Sequence, residues 1–60
     1  MYQIRKIESG RAFVLSGWHR DGRPLWLPVG SEDALLYDHR SEAEREARKH
    51  PRATVHYLDG

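Results

Sequence analysis

The sequence predicts a small α+β domain. An antiparallel sheet of three to five strands carries one helix, residues 41–50, on a single face, in the order β-β-β-(β)-α-β. Three observations lead there. Two turn signals, "ESGR" and "HRDGRP", divide the first half into strand-length pieces. A capping pattern, "SEAE", precedes the helix-forming run "REARKH" and a proline stop. The last stretch, "ATVHYLD", alternates with period two.

Residues 1–8 read as a strand with Tyr2, Ile4 and Ile7 apolar, and Ser9-Gly10 ends it in a short turn. Residues 11–18 form a second strand and residues 24–29 a third. The link "HRDGR" is a hairpin turn, because Gly22 can take positive φ. Register decides what each face carries, since a slip of one residue exchanges them. A two-residue type I′ turn would pair His19 with Pro24 and mix the faces. A type I turn ending in a Gly22 bulge pairs His19 with Arg23. That register gathers Phe13, Leu15, Leu25, Leu27 and Val29 on one face. It leaves Val14, Ser16, Trp18, Trp26, Pro24 and Pro28 on the other, and it is the reading preferred here. The two prolines also mark the third strand as an edge strand, at least in part.

Residues 31–34 suggest a loop or helical turn, and residues 34–38, "ALLYD", a further short strand. In the helix, Ser41 is the expected N-cap and Glu44 completes a capping box. Glu42, Glu44 and Glu46 come early and Arg48, Lys49 and His50 late, as the helix dipole favours. Ala43 and Ala47 form a thin buried stripe, and Pro51 stops the helix. In the final strand Val55 and Tyr57 share one side, His56 and Leu58 the other.

The chain has 60 residues and no cysteine, so neither a disulfide nor a thiolate metal site supports it. A core of this size supplies about 3–5 kcal/mol at most, which makes a partner or a homodimer a natural source of further stability. The net charge is +1 and unevenly placed. Residues 1–30 hold five basic and two acidic side chains; residues 31–60 hold five and seven. A dedicated nucleic-acid binder usually has a larger basic excess. No apolar run approaches the ~20 residues of a membrane helix, and no signal-peptide core opens the chain. A cytoplasmic protein is expected.

No set of residues carries catalysis. His19, His39, His50 and His56 have no ligand spacing among them and read as exposed or hydrogen-bonding side chains, so no metal is expected. Asp38, His39 and Ser41 are sequence neighbours, which rarely make a triad. The helix glutamates are explained by dipole and i, i+4 pairing with Arg45 and Lys49. No glycine-rich phosphate loop exists, and no cofactor is implied. The tryptophan hairpin is the remaining candidate. If the helix covers the aliphatic face, Trp18 and Trp26 lie on the open one, rimmed by Arg20, Arg23, Arg5 and Lys6. The alternative is a curled sheet in which the indoles close a minor core with Tyr2 or Tyr57. The open-face reading makes the chain a non-enzymatic protein-binding module of inhibitor or adaptor type, or a homodimer joined through the same face. The same Trp and Arg residues could instead stack on bases and hold phosphates, as in a DNA- or RNA-binding sheet.

The tail "LLYDHRSEAEREARKHPRATVHYLD" resembles the strand–helix–strand endings of very small phage and mobile-element proteins, anti-CRISPR inhibitors among them. It covers less than half the chain and implies function by binding, with no residue role to carry over. The order of three strands and then a helix is also similar to sheet-reading DNA-binding domains of the integrase-arm and AP2 type. That resemblance implies Arg20, Arg23, Trp18 and Trp26 on DNA.

Overall fold

Ser9 and Gly10 both take positive φ, 53° and 76°, as a two-residue type I′ turn requires. They join β1, Tyr2–Glu8, to β2, Arg11–Trp18, with Glu8 opposite Arg11. β3, Pro24–Pro28, α1, Arg40–Ala47, and β4, Thr54–Tyr57, follow. The computed structural model describes residues 1–59. The strands form one four-stranded antiparallel sheet in the order β3-β2-β1-β4, the α+β architecture expected. The first and last strands of the chain are neighbours, so closing the sheet ties the two ends of the chain together. β3 is at the edge, where its prolines belong.

The β2–β3 turn is the type I turn with Gly22 at positive φ (88°). The Gly22 amide donates to the His19 carbonyl at 3.0 Å, and the His19 amide to the Arg23 carbonyl at 2.7 Å. The faces nevertheless differ from the expectation. Between the pairs Trp18↔Pro24 and Leu15↔Trp26, β2 has two residues, Ser16 and Gly17, and β3 only Leu25. This is a second bulge, and Gly17 (φ 132°) permits it. It shifts the register by one. Leu15 therefore stands opposite Trp26, and Phe13 opposite Pro28, while Leu27 stands opposite Val14 on the other face.

Ile4, Leu15, Ala43 and Ala47 form the buried core beneath the helix, with Tyr2, Trp26, Leu35, Tyr37, Ala53 and Val55 packed around them. The two alanines do what their spacing suggests: small side chains bring the helix close to the sheet. The helix starts earlier than expected. Its N-cap is His39, in extended conformation and without a side-chain cap bond. Ser41 therefore lies within the first turn, not at the cap, and Glu44 accepts from Arg40 Nε at 2.9 Å instead of closing a capping box. Helical bonding gives way after Ala47 to tighter turns, with the amides of Lys49 and His50 bonded to the carbonyls of Glu46 and Ala47. Arg52 then takes positive φ (65°) to turn the chain into β4.

Residues 34–38 do not form a strand. A single bridge links Tyr37 to Tyr2, with both amide–carbonyl bonds at 2.8 Å, and the Leu35 amide donates to the Leu15 carbonyl at 3.0 Å. The segment thus wedges between β1 and β2 where those strands part. Its bonds occupy the groups left open by the separation, and they fix the direction in which the chain enters the helix.

Candidate functional site

Strand alternation assigns the side of the sheet that lacks the helix. Gln3, Arg5 and Ile7 come from β1, Ala12, Val14 and Ser16 from β2, Leu25 and Leu27 from β3, and Thr54 and His56 from β4. By register no acidic side chain falls on it. Val14 is fully buried even here, flanked by its register partners Arg5 and Leu27. Near the far end of β1 this face sinks into a hollow of about 420 Å³, lined by Arg5, Lys6, Ile7, Ala12, Arg52, Thr54 and His56. It exists because β4 begins at Thr54, opposite Arg5, and leaves the rest of β1 uncovered. Ile7, in its lining, is 66% exposed. Arg5 Nε donates to Gln3 Oε1, which holds the guanidinium along the strand, and Thr54 Oγ1 lies 3.0 Å from His56 Nε2.

The structure separates the residues expected to form one aromatic face. Trp26 is turned to the helix side and half-buried, its ring 5.6 Å from that of His50 in an edge-on arrangement. Lys6 is also on that side, 4.5 Å from the Trp26 ring centre, and pairs with Glu8 at 3.2 Å. Trp18, opposite Pro24, falls on the same side by register, beyond the reach of the helix, and is 47% exposed. The expectation that both indoles occupy the uncovered face is therefore wrong, and the reason is the extra residue at Ser16–Gly17. Arg20 and Arg23 are exposed in the hairpin turn, where Arg23 Nε is held by Asp21 Oδ2 at 2.7 Å. The Arg23 amide, bonded to Asp21 Oδ1, lowers the Asp21 pKa; the Arg23 side chain and His19 act in the same direction. Of the six predicted residues, Arg5 and Lys6 line the hollow, and of the two only Arg5 falls on the open face by register.

Sequence reasoning missed Ile7, Ala12, Arg52, Thr54 and His56. A signal was present: Arg5/Ile7 and Thr54/His56 each repeat with period two on their strands. A second polar cluster lies on the last turn of the helix and the residues just after it. Glu46 Oε2 meets His50 Nε2 at 2.8 Å, both side chains nearly buried, and Glu46 also pairs with Lys49 at 3.5 Å. Burial raises the Tyr37 pKa, with the charges of Glu46 and Glu42 adding to it.

Fold and surface together define a small α+β domain with a helix on one side of its sheet and an apolar, cation-bearing face on the other. No family model, curated protein or solved structure matches the chain. Among the described residues no helix is long and apolar enough to cross a membrane.

Proposed function

We propose that this chain is a non-enzymatic protein-binding module of the cytoplasm, an inhibitor or adaptor, and that its recognition surface is the helix-free face of the sheet. The observation that carries this reading is the hollow beside the exposed Ile7, with Arg5 and Arg52 in its lining and no acidic residue on that face by register. A partner segment that presents aliphatic and acidic side chains together fits that chemistry. The aliphatic group would cover Ile7 and Ala12, and the carboxylates would meet the guanidinium groups, which favour planar bidentate pairing. A surface this small corresponds to a weak, transient interface of less than about 1,200 Å².

Binding single-stranded nucleic acid is less well supported. That reading needs aromatic rings on the basic face for bases to stack on, and Trp26 is under the helix side instead.

Selection from a displayed random-peptide library tests the proposal. The expected winners combine Asp or Glu with Leu, Ile or Val. Their binding is lost in Arg5→Glu and in Ile7→Asp, both still folded by circular dichroism, and is kept in Trp18→Ala. Winners that bind those two variants as well as the parent protein would refute it. So would a preference for single-stranded DNA that falls steeply with salt.

A further inference from the structure

The two edges of the sheet are built differently, and the difference points to a second copy of this chain. Hydrogen-bond parity shows which backbone groups face outward. In β3, the Val29 amide donates to the Ala12 carbonyl and His19 to Arg23, so Leu27 and Val29 turn their peptide groups toward β2. Pro24, Trp26 and Pro28 turn theirs outward. Two of those three residues have no N–H, which blunts this edge against further pairing. In β4 the Leu58 amide donates to the Met1 carbonyl at 2.8 Å. His56 and Thr54 therefore face β1, while Val55 and Tyr57 present complete amide and carbonyl groups to the outside. No proline, bulge or bracketing charge protects this edge within Thr54–Tyr57. Its residues are β-branched or aromatic, the types that favour pairing.

We infer that β4 pairs with β4 of a second copy, antiparallel about a two-fold axis at His56, joining two sheets into one of eight strands. The register is self-complementary. With His56 opposite its own symmetry mate, Val55 stands opposite Tyr57 of the other copy in a doubly bonded pair, and Tyr57 opposite Val55. Each pair joins a β-branched side chain to an aromatic one on the helix side, a favourable cross-strand combination. Tyr57, 64% exposed in the single chain and in edge contact with Tyr2, gains a covered face. On that side the edge is flanked by an open groove of about 290 Å³ between α1 and β4, lined by Arg40, Glu44, Arg48 and Val55. A peptide ligand could add to this edge as well. The second copy is favoured because the outward pattern of β4 matches itself without a change of register or of faces.

Sedimentation of the full chain from about 1 µM to about 1 mM tests this. The mass is expected to rise from 7.0 kDa toward twice that value with concentration. A mixture of ¹³C-labelled and unlabelled protein should show an intermolecular contact between the two His56 Hα atoms, which face each other at a non-hydrogen-bonded pair with Cα atoms about 4.5 Å apart. Tyr57→Pro removes an outward N–H that the single chain does not use and should abolish association. If it unfolds by circular dichroism, His56→Lys decides, because it leaves the backbone intact and sets two like charges on the axis; association should weaken at least about tenfold. A mass that stays at 7.0 kDa across the range overturns the inference, as does a dimer that His56→Lys leaves unchanged. Ile7→Asp, which should remove peptide binding, leaves this edge untouched, so the two readings fail separately.

Discussion

Lys6 Nζ lies 4.5 Å from the centre of the Trp26 ring, on the side of the sheet that carries the helix. The ammonium caps an aromatic face whose edge-on partner is His50, so one half-buried indole joins β1, β3 and the end of the helix. Trp26 is thus a packing residue, and Trp18 only a surface one.

The two tryptophans should differ sharply in what they contribute. Trp26→Ala is expected to cost about 3 kcal/mol, the lower end for a tryptophan truncation because the ring is half-buried. Against the stability expected of a core this small, about 3–5 kcal/mol, that leaves only about 0–2 kcal/mol, so the variant should be marginally stable at 25 °C, with up to about half of it unfolded. Trp18→Ala should cost less than about 1 kcal/mol. Urea unfolding followed by circular dichroism checks both. Acrylamide quenching of Trp18→Phe and Trp26→Phe gives a second reading: the protein that retains Trp26 should be quenched less. Equal quenching would contradict the packing described.

Gly17 is expected to be the most sensitive glycine of the hairpin interior. A Cβ there meets no atom within 4 Å, so space is no obstacle. Its φ of 132° is the obstacle, because L-residues rarely adopt it. Gly17→Ala should cost about 1–3 kcal/mol through backbone strain alone. If the bulge relaxes instead, the register slips and Trp26 exchanges faces. Hydrogen-exchange protection of Leu27, bonded across to Val14 in the native register, reports which outcome occurs.

Tyr37 should lose its proton only above the ordinary phenol value of 10.0, chiefly because of burial and secondarily because of Glu46 and Glu42. A folded-state pKa raised above the unfolded one gives stability that is intact below the ordinary value and lost as pH rises through the folded value. Thermal stability should therefore fall above about pH 10. Glu46→Gln should lower the Tyr37 value without restoring it fully, since burial persists. Ultraviolet titration of the phenolate measures this directly, and an unchanged titration would show that Glu46 has no part in it.

Much of the fold was legible in local sequence. Ser9-Gly10 and Asp21-Gly22 named their turns because positive φ is a local demand that few residues meet. Pro24 and Pro28 placed β3 at an edge because a missing N–H is a property of the residue itself. The alanine pair gave the helix its buried stripe. The cap at Ser41 was misread: the bridge between Tyr2 and Tyr37 and the wedge of residues between β1 and β2 bring the chain extended to His39, and the helix begins there. The Tyr2–Tyr37 bridge joins residues 35 positions apart and the Leu15–Leu35 bond residues 20 apart, and nothing around Ser41 encodes them.

The candidate surface was read less well. Arg5 was found, while Ile7, Arg52 and His56 were not, because the hollow forms where β4 begins only at Thr54, opposite Arg5, and the bounds of a strand are set by pairing. A glycine inside a strand pattern does signal a bulge. Gly17 carried that signal, but it could not say on its own which side of the sheet would then hold Trp26.

By itself the sequence determined the four strands and the helix, where the hairpins turn, and which edge is blunted; only the further strand it suggested at residues 34–38 is absent, reduced to the single bridge at Tyr37. Each of the features it determined depends on residues a few positions apart. The tertiary structure alone decided which face each tryptophan occupies. Side chains alternate along a strand, so one inserted residue at Ser16–Gly17 reverses every later assignment, and only pairing with β3 reveals that it is there.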